Sequence, residues 1–399
     1  MKNFIFISPN FPDVYYKFVI ALKNRGFNVL GIGDGPYYDI PQQLKDNITE
    51  YYFVKSLSNT KDVEEAVRFF KEKYGPIDYL ESNNEYWLTL DAHLREMFDI
   101  PNGLRPADME KIKYKSKMKD YFKKAGVKVA RHTIVTNLEN SLNFIKEVGY
   151  PVFVKPDSGV GAANSYAIYS EEELRCFHED EETRNEPYIM EEFIEGEIIT
   201  FDGICDDNGD VPVYFHEHFP ISNADVVNLD IEDYYYAECK CSPDFLEMGK
   251  RVVKAFGIKK RCFHIEFFKL TKHKPGLATL GEIVAIEVNM RPPGGNTPEI
   301  LSLALNASFY ECYADIIAYN EIRQDLSKDK KVAVSVARKD RFIYTHSQQE
   351  IFDIFKRDIK EHGRYNKEIA QCMGDEYYFA TFDNKQDMLD FKDFIQKKN

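Results

Sequence analysis

Phe263-His264-Ile265-Glu266-Phe267 and Ala285-Ile286-Glu287-Val288-Asn289-Met290-Arg291 are two short runs of strand-forming residues interrupted by polar ones at alternate positions. Successive side chains of a strand point to opposite faces, so His264 and Glu266 share one face, as do Glu287, Asn289 and Arg291. Two carboxylates and an amide oxygen converging from neighbouring strands form a hard-oxygen site suited to Mg²⁺ carrying a polyphosphate. The competing reading is a sheet whose polar face merely meets water. The strongly apolar remainder of both strands disfavours it.

A second stretch, Pro151-Val152-Phe153-Val154-Lys155-Pro156-Asp157-Ser158-Gly159-Val160-Gly161-Ala162-Ala163-Asn164-Ser165, ends an apolar strand on a lysine and continues in small residues. A lysine at the end of a buried strand is costly unless it meets an anion, and a small-residue loop can turn backbone N–H groups toward phosphates. Together they suggest a nucleoside triphosphate site. It is not a P-loop, because the lysine precedes the glycines and no G-K-[ST] ends the loop. Taken alone, the segment reads equally well as a surface lysine before a flexible loop.

Outward from these segments, the first hundred residues alternate strand and helix signals. Phe4-Ile5-Phe6-Ile7, Phe27 to Ile32, Tyr51 to Val54 and Ile77 to Leu80 read as strands. Val63, Ala66, Val67 and Phe70 recur at helical spacing before Gly75-Pro76. Such alternation implies parallel pairing and a doubly wound α/β unit. Gly31-Ile32-Gly33-Asp34-Gly35 lacks the G-x-G-x-x-G spacing, and Pro36 follows the last glycine, so it reads as a loop rather than a dinucleotide fingerprint.

Beyond the linker Pro101 to Pro106, a lysine-rich helix is expected from Asp108 to Ala125, with all but Lys115 of its lysines on a wet face. Ser170-Glu171-Glu172-Glu173 has the pattern of a capping box. Two paired strands, Ile198 to Cys205 and Val211 to Phe219, flank the turn Asp206 to Asp210. Ser242-Pro243 opens a helix to Gly257, and a helical stretch after Pro298 runs toward Asn320. The expected domains are 1–105, 106–325 with a small lid-like subdomain at about 125–192, and 326–399.

Composition excludes whole classes of function. At 399 residues, with 44% hydrophobic and 30% charged side chains, the chain can bury a large core and is not disordered. The 52 basic and 66 acidic side chains give a net charge of −14, a field that repels nucleic acid and anionic membrane. No apolar run approaches a membrane span, and the one after Lys2 is too short for a signal-peptide core. Seven scattered cysteines without a C-x-x-C pair fit reduced thiols, and Cys239 and Cys241 read as two unpaired thiols rather than metal ligands. The protein is expected to be cytoplasmic, with neither nucleic acid nor membrane as a partner.

Four motifs stand in order along about half the chain: Lys115 before the Ala125-Gly126 helix end, Lys155 with its loop, Glu191-Glu192-Phe193-Ile194-Glu195-Gly196, and then Glu266 with Glu287-Val288-Asn289-Met290-Arg291-Pro292-Pro293-Gly294-Gly295. This ordered set resembles the ATP-grasp superfamily. More narrowly it resembles its carboxylate–amine ligases, including L-amino-acid ligases, carnosine-synthase-like enzymes and the ATP-grasp domain of the carbamoyl-phosphate-synthase large subunit. The resemblance implies an α/β and α+β chain, in which a doubly wound pre-ATP-grasp domain precedes a two-subdomain ATP-grasp fold and a C-terminal accessory region.

It further implies an ADP-forming ligase that joins a small carboxylate to an amine, such as an amino acid, through an acyl phosphate, with ATP and two Mg²⁺ ions as cofactors and Mn²⁺ as a substitute. Lys115 and Lys155 would hold phosphates under the loop containing Gly159, Gly161 and Ala162. Glu191, Glu192, Phe193 and Ile194 would surround adenine, through the Glu191 side chain and the backbone of Glu192 and Ile194. Glu197 would contribute to the ATP site from beside Ile198, where many relatives carry an acid for the ribose, and Tyr114 precedes Lys115 where relatives often carry Asp. Glu266, Glu287 and Asn289 would bind the metal, Arg291 would stabilise the acyl phosphate and tetrahedral intermediate, and Gly294 and Gly295 would offer N–H groups to substrate.

The residues support the same chemistry. A carboxylate becomes a good acyl donor once phosphorylated, so no nucleophilic side chain is required, and none stands in a G-x-S-x-G setting. His264 is expected to line the acceptor pocket or serve as base, and His216 and His218, which share a strand face, to line the same pocket; histidines that are hydrogen-bonded structurally satisfy the pattern as well. Asp225 to Tyr236 is an acidic, tyrosine-rich stretch long enough for a lid. Biotin-carboxylase-like carboxylation through carboxyphosphate and a catalytically silent ATP-binding regulator are the alternatives, and a homodimer is left open.

Overall fold

The computed structural model describes residues 1–159, 164–180, 186–221, 226, 230–365, 370 and 373–399. Strands β1 (Lys2–Ile7), β2 (Phe27–Gly33), β3 (Glu50–Phe53) and β4 (Tyr79–Glu81) form a parallel sheet in the order β3-β2-β1-β4. This is the doubly wound unit that the alternating signals imply. Its connecting helix Thr60–Tyr74 buries Val63, Ala66, Val67 and Phe70 and ends at Gly75 (φ +86°).

Two further sheets follow. β6 (His132–Ile134), β7 (Val152–Pro156), β8 (Tyr166–Ile168) and β9 (Tyr188–Glu192) pair antiparallel in the order β6-β9-β7-β8, covered by the helices Leu138–Val148 and Glu171–Glu179. Ser170 caps the second helix by accepting from the Glu173 N–H, and the Glu173 carboxylate accepts from Tyr169 N rather than from Ser170. The cap therefore forms with its return bond moved one residue upstream.

The largest sheet has nine strands: β5 (Lys128–Val129), β10 (Gly196–Cys205), β11 (Val213–Phe219), β12 (Tyr234–Glu238), β13 (Arg261–Leu270), β14 (Ile283–Asn289), β15 (Val332–Arg338), β16 (Ile359–Arg364) and β17 (Glu376–Phe382). Their order is β16-β17-β15-β12-β11-β10-β13-β14-β5. The stretch 326–399 thus extends the same sheet that carries the polar strands. Helix Pro243–Phe256 lies across β10, and Gly249 permits the approach: a Cβ there would stand 2.3 Å from the Phe201 ring.

Two helices differ from their expected extents. The lysine-rich segment is two helices, Met109–Lys113 and Lys115–Lys124, separated by Tyr114 in extended conformation (φ −100°, ψ 115°). The break has a tertiary cause: Lys115 N–H donates to Asp157 O at 2.7 Å, while Ser116 N–H and Oγ–H both donate to the Asp157 carboxylate. The stretch after Pro298 divides into Thr297–Leu305 and Phe309–Tyr319 at Asn306, which is left-handed (φ +54°).

A buried charge network joins the first sheet to the largest one. Glu81, at the end of β4, accepts from Arg95 at 2.9 Å and from Arg261 on β13 at 3.0 Å. Gly103 (φ +71°) makes room for Arg95, whose Cζ would be 2.7 Å from an added Cβ. No helix among the described residues is long and apolar enough to cross a membrane. The cysteines at 176, 205, 239, 241, 262 and 312 are free; Cys372 lies outside the described residues.

Candidate active site

Strand register builds the site. Thr200 and Asp202 of β10 stand opposite Glu266 and His264 of β13, and these stand opposite Glu287 and Asn289 of β14. One face of the sheet therefore carries all six side chains. Asn289 Nδ2 lies 3.4 Å from Glu266 Oε1 and 3.3 Å from Glu287 Oε1, clasping the two carboxylates. Arg291 Nη2 reaches Asn289 Oδ1 at 3.5 Å and Glu85 Oε2 at 3.0 Å. Glu85 sits in the turn after β4, so the first sheet delivers a carboxylate to the arginine.

The lysines close the other side. Lys115 Nζ stands 3.7 Å from Glu287 Oε2 and 3.3 Å from Gly159 O. Lys155 Nζ lies 3.0 Å from Glu191 Oε2, and Lys119 Nζ lies 2.6 Å from Glu191 Oε1. Burial pushes the Glu191 carboxyl up, but the two ammonium groups outweigh it and hold the group at about 2. Glu287 is likewise pulled below its ordinary value: burial raises it, and Lys115 and Lys155 overcome that. The result is a partly enclosed site with fixed charges of both signs.

Several expected residues stand elsewhere. His264 is not a free base: Nδ1 is 2.5 Å from Asp202 Oδ1 and Nε2 is 3.1 Å from Glu266 Oε1. Burial disfavours its charge, yet Asp202 and then Glu266 raise the imidazole to about 10, which favours the imidazolium over a free base. Its place in the geometry is to orient Glu266.

His216 and His218 stand opposite Phe201 and Ile199, on the sheet's other face from Glu266. Their rings are 4.1 Å apart, His216 packs on Phe245 and His218 stacks on Tyr236. Burial lowers His216 to about 4 and His218 to about 2, so both are neutral. Their shared face was read correctly from alternation; which face it was depends on register.

Glu197 falls on that other face too, opposite Lys269, and lines a cavity of about 180 Å³ with His218, Tyr236 and Lys385. It does not stand beside the lysines. The Glu191 side chain is held between Lys119 and Lys155 rather than free for an adenine amine, and the Glu192 N–H donates to Arg131 O at 3.0 Å. The Glu192 carboxylate is taken by Arg131 as well, at 2.6 Å from Nη2. Ile194 is buried and Phe193 partly buried at the end of β9.

Gly294 and Gly295 precede the helix Thr297–Leu305, and an added Cβ at either would meet nothing within 4 Å. Gly159 (φ +134°) is equally open. Gly161 and Ala162 lie outside the described residues, as do 222–225 and 227–229 of the expected acidic lid and its approach.

Four residues escaped the sequence reading. Glu85 carried no motif, and Lys119, expected on the helix's wet face, is instead 1% exposed, one helical turn after Lys115 and on the same face. Asp202 and Glu217 are fully buried on the site face. The ligand atoms of Asp202, Glu217 and His264 all lie within 4.8 Å of one another. Neither Glu217 oxygen meets a donor among the described residues, and burial, reinforced by Asp202, pushes its carboxyl well above the usual range, favouring the protonated form.

An antiparallel lobe bearing Lys155, facing a larger sheet bearing Glu266, Glu287 and Asn289, is the ATP-grasp fold. The family described as Carbamoyl-phosphate synthase L chain, ATP binding domain, matches residues 114–210. The L-arginine-specific L-amino acid ligase of Bacillus subtilis is 26% identical over 264 residues, 62% of this chain and 60% of that protein. The chain spans about a quarter to three fifths of the length of the curated relatives compared.

Among solved structures, an L-amino acid ligase from Bacillus licheniformis superposes with TM-score 0.73 at 15% identity, covering 98% of this chain and 96% of that one. The biotin carboxylase domain of the Hydrogenobacter thermophilus 2-oxoglutarate carboxylase, solved with MgADP and bicarbonate, gives TM-score 0.69 at 16% identity, covering 96% and 86%.

Proposed function

We propose that this protein is an ADP-forming ligase that joins a small carboxylate to an amine, with an amino acid as one substrate, and that it works in the cytoplasm. The observation that carries the reading is the unbroken chain of polar contacts Lys115–Glu287–Asn289–Arg291 across the site face. It puts cations for a transferring phosphoryl group and a guanidinium for a developing oxyanion on either side of a carboxylate pair. The similarity to ligases acting on amino acids supports the substrate class.

Glu266, Glu287 and Asn289 fit Mg²⁺: two carboxylates and a side-chain amide offer hard oxygens within one cluster, both carboxylates lying within 3.4 Å of the Asn289 amide. When bound, two Mg²⁺ ions, or Mn²⁺ in their place, supply charge neutralisation on the polyphosphate. Lys115 and Lys155 hold the phosphates of ATP, and the end of β9 receives the base. A substrate carboxylate oxygen attacks the γ-phosphorus, and the bond to the ADP oxygen breaks. The amine, as its free base, then adds to the acyl carbon of the acyl phosphate. Arg291 stabilises the oxyanion, and phosphate leaves with the acyl–oxygen bond electrons while the nitrogen releases its proton. Gly294 and Gly295 leave the backbone accessible to substrate.

The test is ADP release by the purified protein with Mg²⁺-ATP, against pooled amino acids and small carboxylates, with Glu287→Ala as control. Turnover that requires both an acid and an amine, and is lost in the variant, is the expected result. Turnover that requires bicarbonate instead supports carboxylation through carboxyphosphate. Tight nucleotide binding without turnover in any pool supports a regulatory role.

A further inference from the structure

At the opposite end of the first sheet from Glu85, the N-terminal ends of β1 and β4 meet the start of β13 around a cavity of about 530 Å³. That is the size of an ordinary small-molecule site. It lies behind the candidate active site: Arg261 lines it, and His264 is three residues further along β13, roughly 10 Å at strand rise.

Its lining is cationic. Lys2, Lys111, Lys259, Lys260 and Arg261 face three acids, Asp78, Asp108 and Asp207. Two of those acids are engaged: Asp108 pairs with Lys111 at 2.8 Å, and Asp78 accepts from Asn3 N–H at 2.8 Å. Lys2, Lys259 and Lys260 have no carboxylate partner among the described residues. Lys2 and Lys260 each approach the Tyr79 ring, their Nζ atoms 5.8 and 5.5 Å from its centre. Arg261 is 2% exposed, donates from Nε to Met290 O and from Nη2 to Glu81, and its Nη1 has no acceptor.

Cations lining one cavity repel unless a counter-charge is supplied, and a buried guanidinium nitrogen without an acceptor carries an uncompensated desolvation cost. On a chain of net charge −14, a cavity with two more cations than anions is a local reversal of the field, which focuses anions into it. We propose that this cavity binds a small phosphorylated molecule, with Lys259 and Lys260 at its entrance and Arg261 at its floor. The site is separate from the nucleotide pocket. Its occupant bears, through Arg261, on the carbonyl of Met290, the residue before Arg291.

Isothermal titration calorimetry on the full chain tests this, with fructose 1,6-bisphosphate and inorganic phosphate as probes, at low salt and with the nucleotide site saturated by a non-hydrolysable Mg²⁺-ATP analogue. One saturable site for the bisphosphate is expected. Lys259→Glu with Lys260→Glu should weaken it at least tenfold while leaving the analogue's affinity within twofold. Saturation by inorganic phosphate alone would assign a free-anion site, and preference for the bisphosphate a metabolite site. Absence of saturable binding, loss of binding once the analogue is present, or equal affinity in the double variant would overturn the proposal. Failure of the analogue itself to bind would count against the function proposed above, and the same titrations of the nucleotide-free protein would still read the cavity.

Discussion

Replacing Glu191 by glutamine removes the carboxylate that, among the described residues, pairs with two buried ammonium groups, those of Lys119 and Lys155. The wild-type carboxyl lies at about 2 against an ordinary 4.5. At about 1.4 kcal/mol per pH unit, that difference is worth about 3 kcal/mol of folding free energy at neutral pH. The sign follows from the depressed value. The contribution is complete above the unfolded carboxyl's range and is lost as pH falls toward 2, with roughly 2 kcal/mol left at pH 3.5. Urea unfolding of wild type and Glu191→Gln at pH 7 and pH 3.5 should show a deficit of about 3 kcal/mol shrinking to about 2 kcal/mol. A deficit below about 1 kcal/mol at pH 7, or one that grows on acidification, would refute the claim that Glu191 neutralises both lysines.

Gly249→Ala should cost roughly 1–3 kcal/mol in urea unfolding, because its Cβ would press on the Phe201 ring, and Phe201→Leu should recover part of that loss. Asp202→Asn should loosen His264 and, through it, Glu266, raising the Mg²⁺ concentration for half-maximal turnover by about 10-fold or more; an unchanged Mg²⁺ dependence would refute the orienting role. Arg291→Lys should lower kcat/KM by roughly 100-fold in the ligase assay, since a point charge does not reproduce the guanidinium fork. His216→Gln and His218→Gln, on the opposite face, should leave substrate KM within about twofold of wild type, and a larger effect would contradict the register assigned to β11.

Period-two alternation made Glu266, Glu287, Asn289 and Arg291 legible as a group, because a strand's side-chain direction follows from its backbone alone. The same rule paired His216 with His218 but could not say that they turn away from Glu266, since one residue of register exchanges the two faces. Glu197 missed the site for that reason as well. His264 was visible as a polar strand residue, yet its two carboxylate partners, Asp202 and Glu266, lie on different strands, and only their pairing makes it a charged brace rather than a base.

The amino-acid sequence by itself determined the strand and helix alternation, the apolar stripe of the helix Thr60–Tyr74, and the ordered motifs from Lys115 to Gly295, all of which depend on neighbours a few residues apart. Tertiary structure alone decided that Tyr114 breaks a helix, because the Asp157 carbonyl and carboxylate that capture the next two residues arrive from a distant strand end. It alone brought Glu85 to Arg291 and set Glu191 between two lysines. Charges separated by many residues find each other only after the sheets have packed, and burial then makes their pairing obligatory.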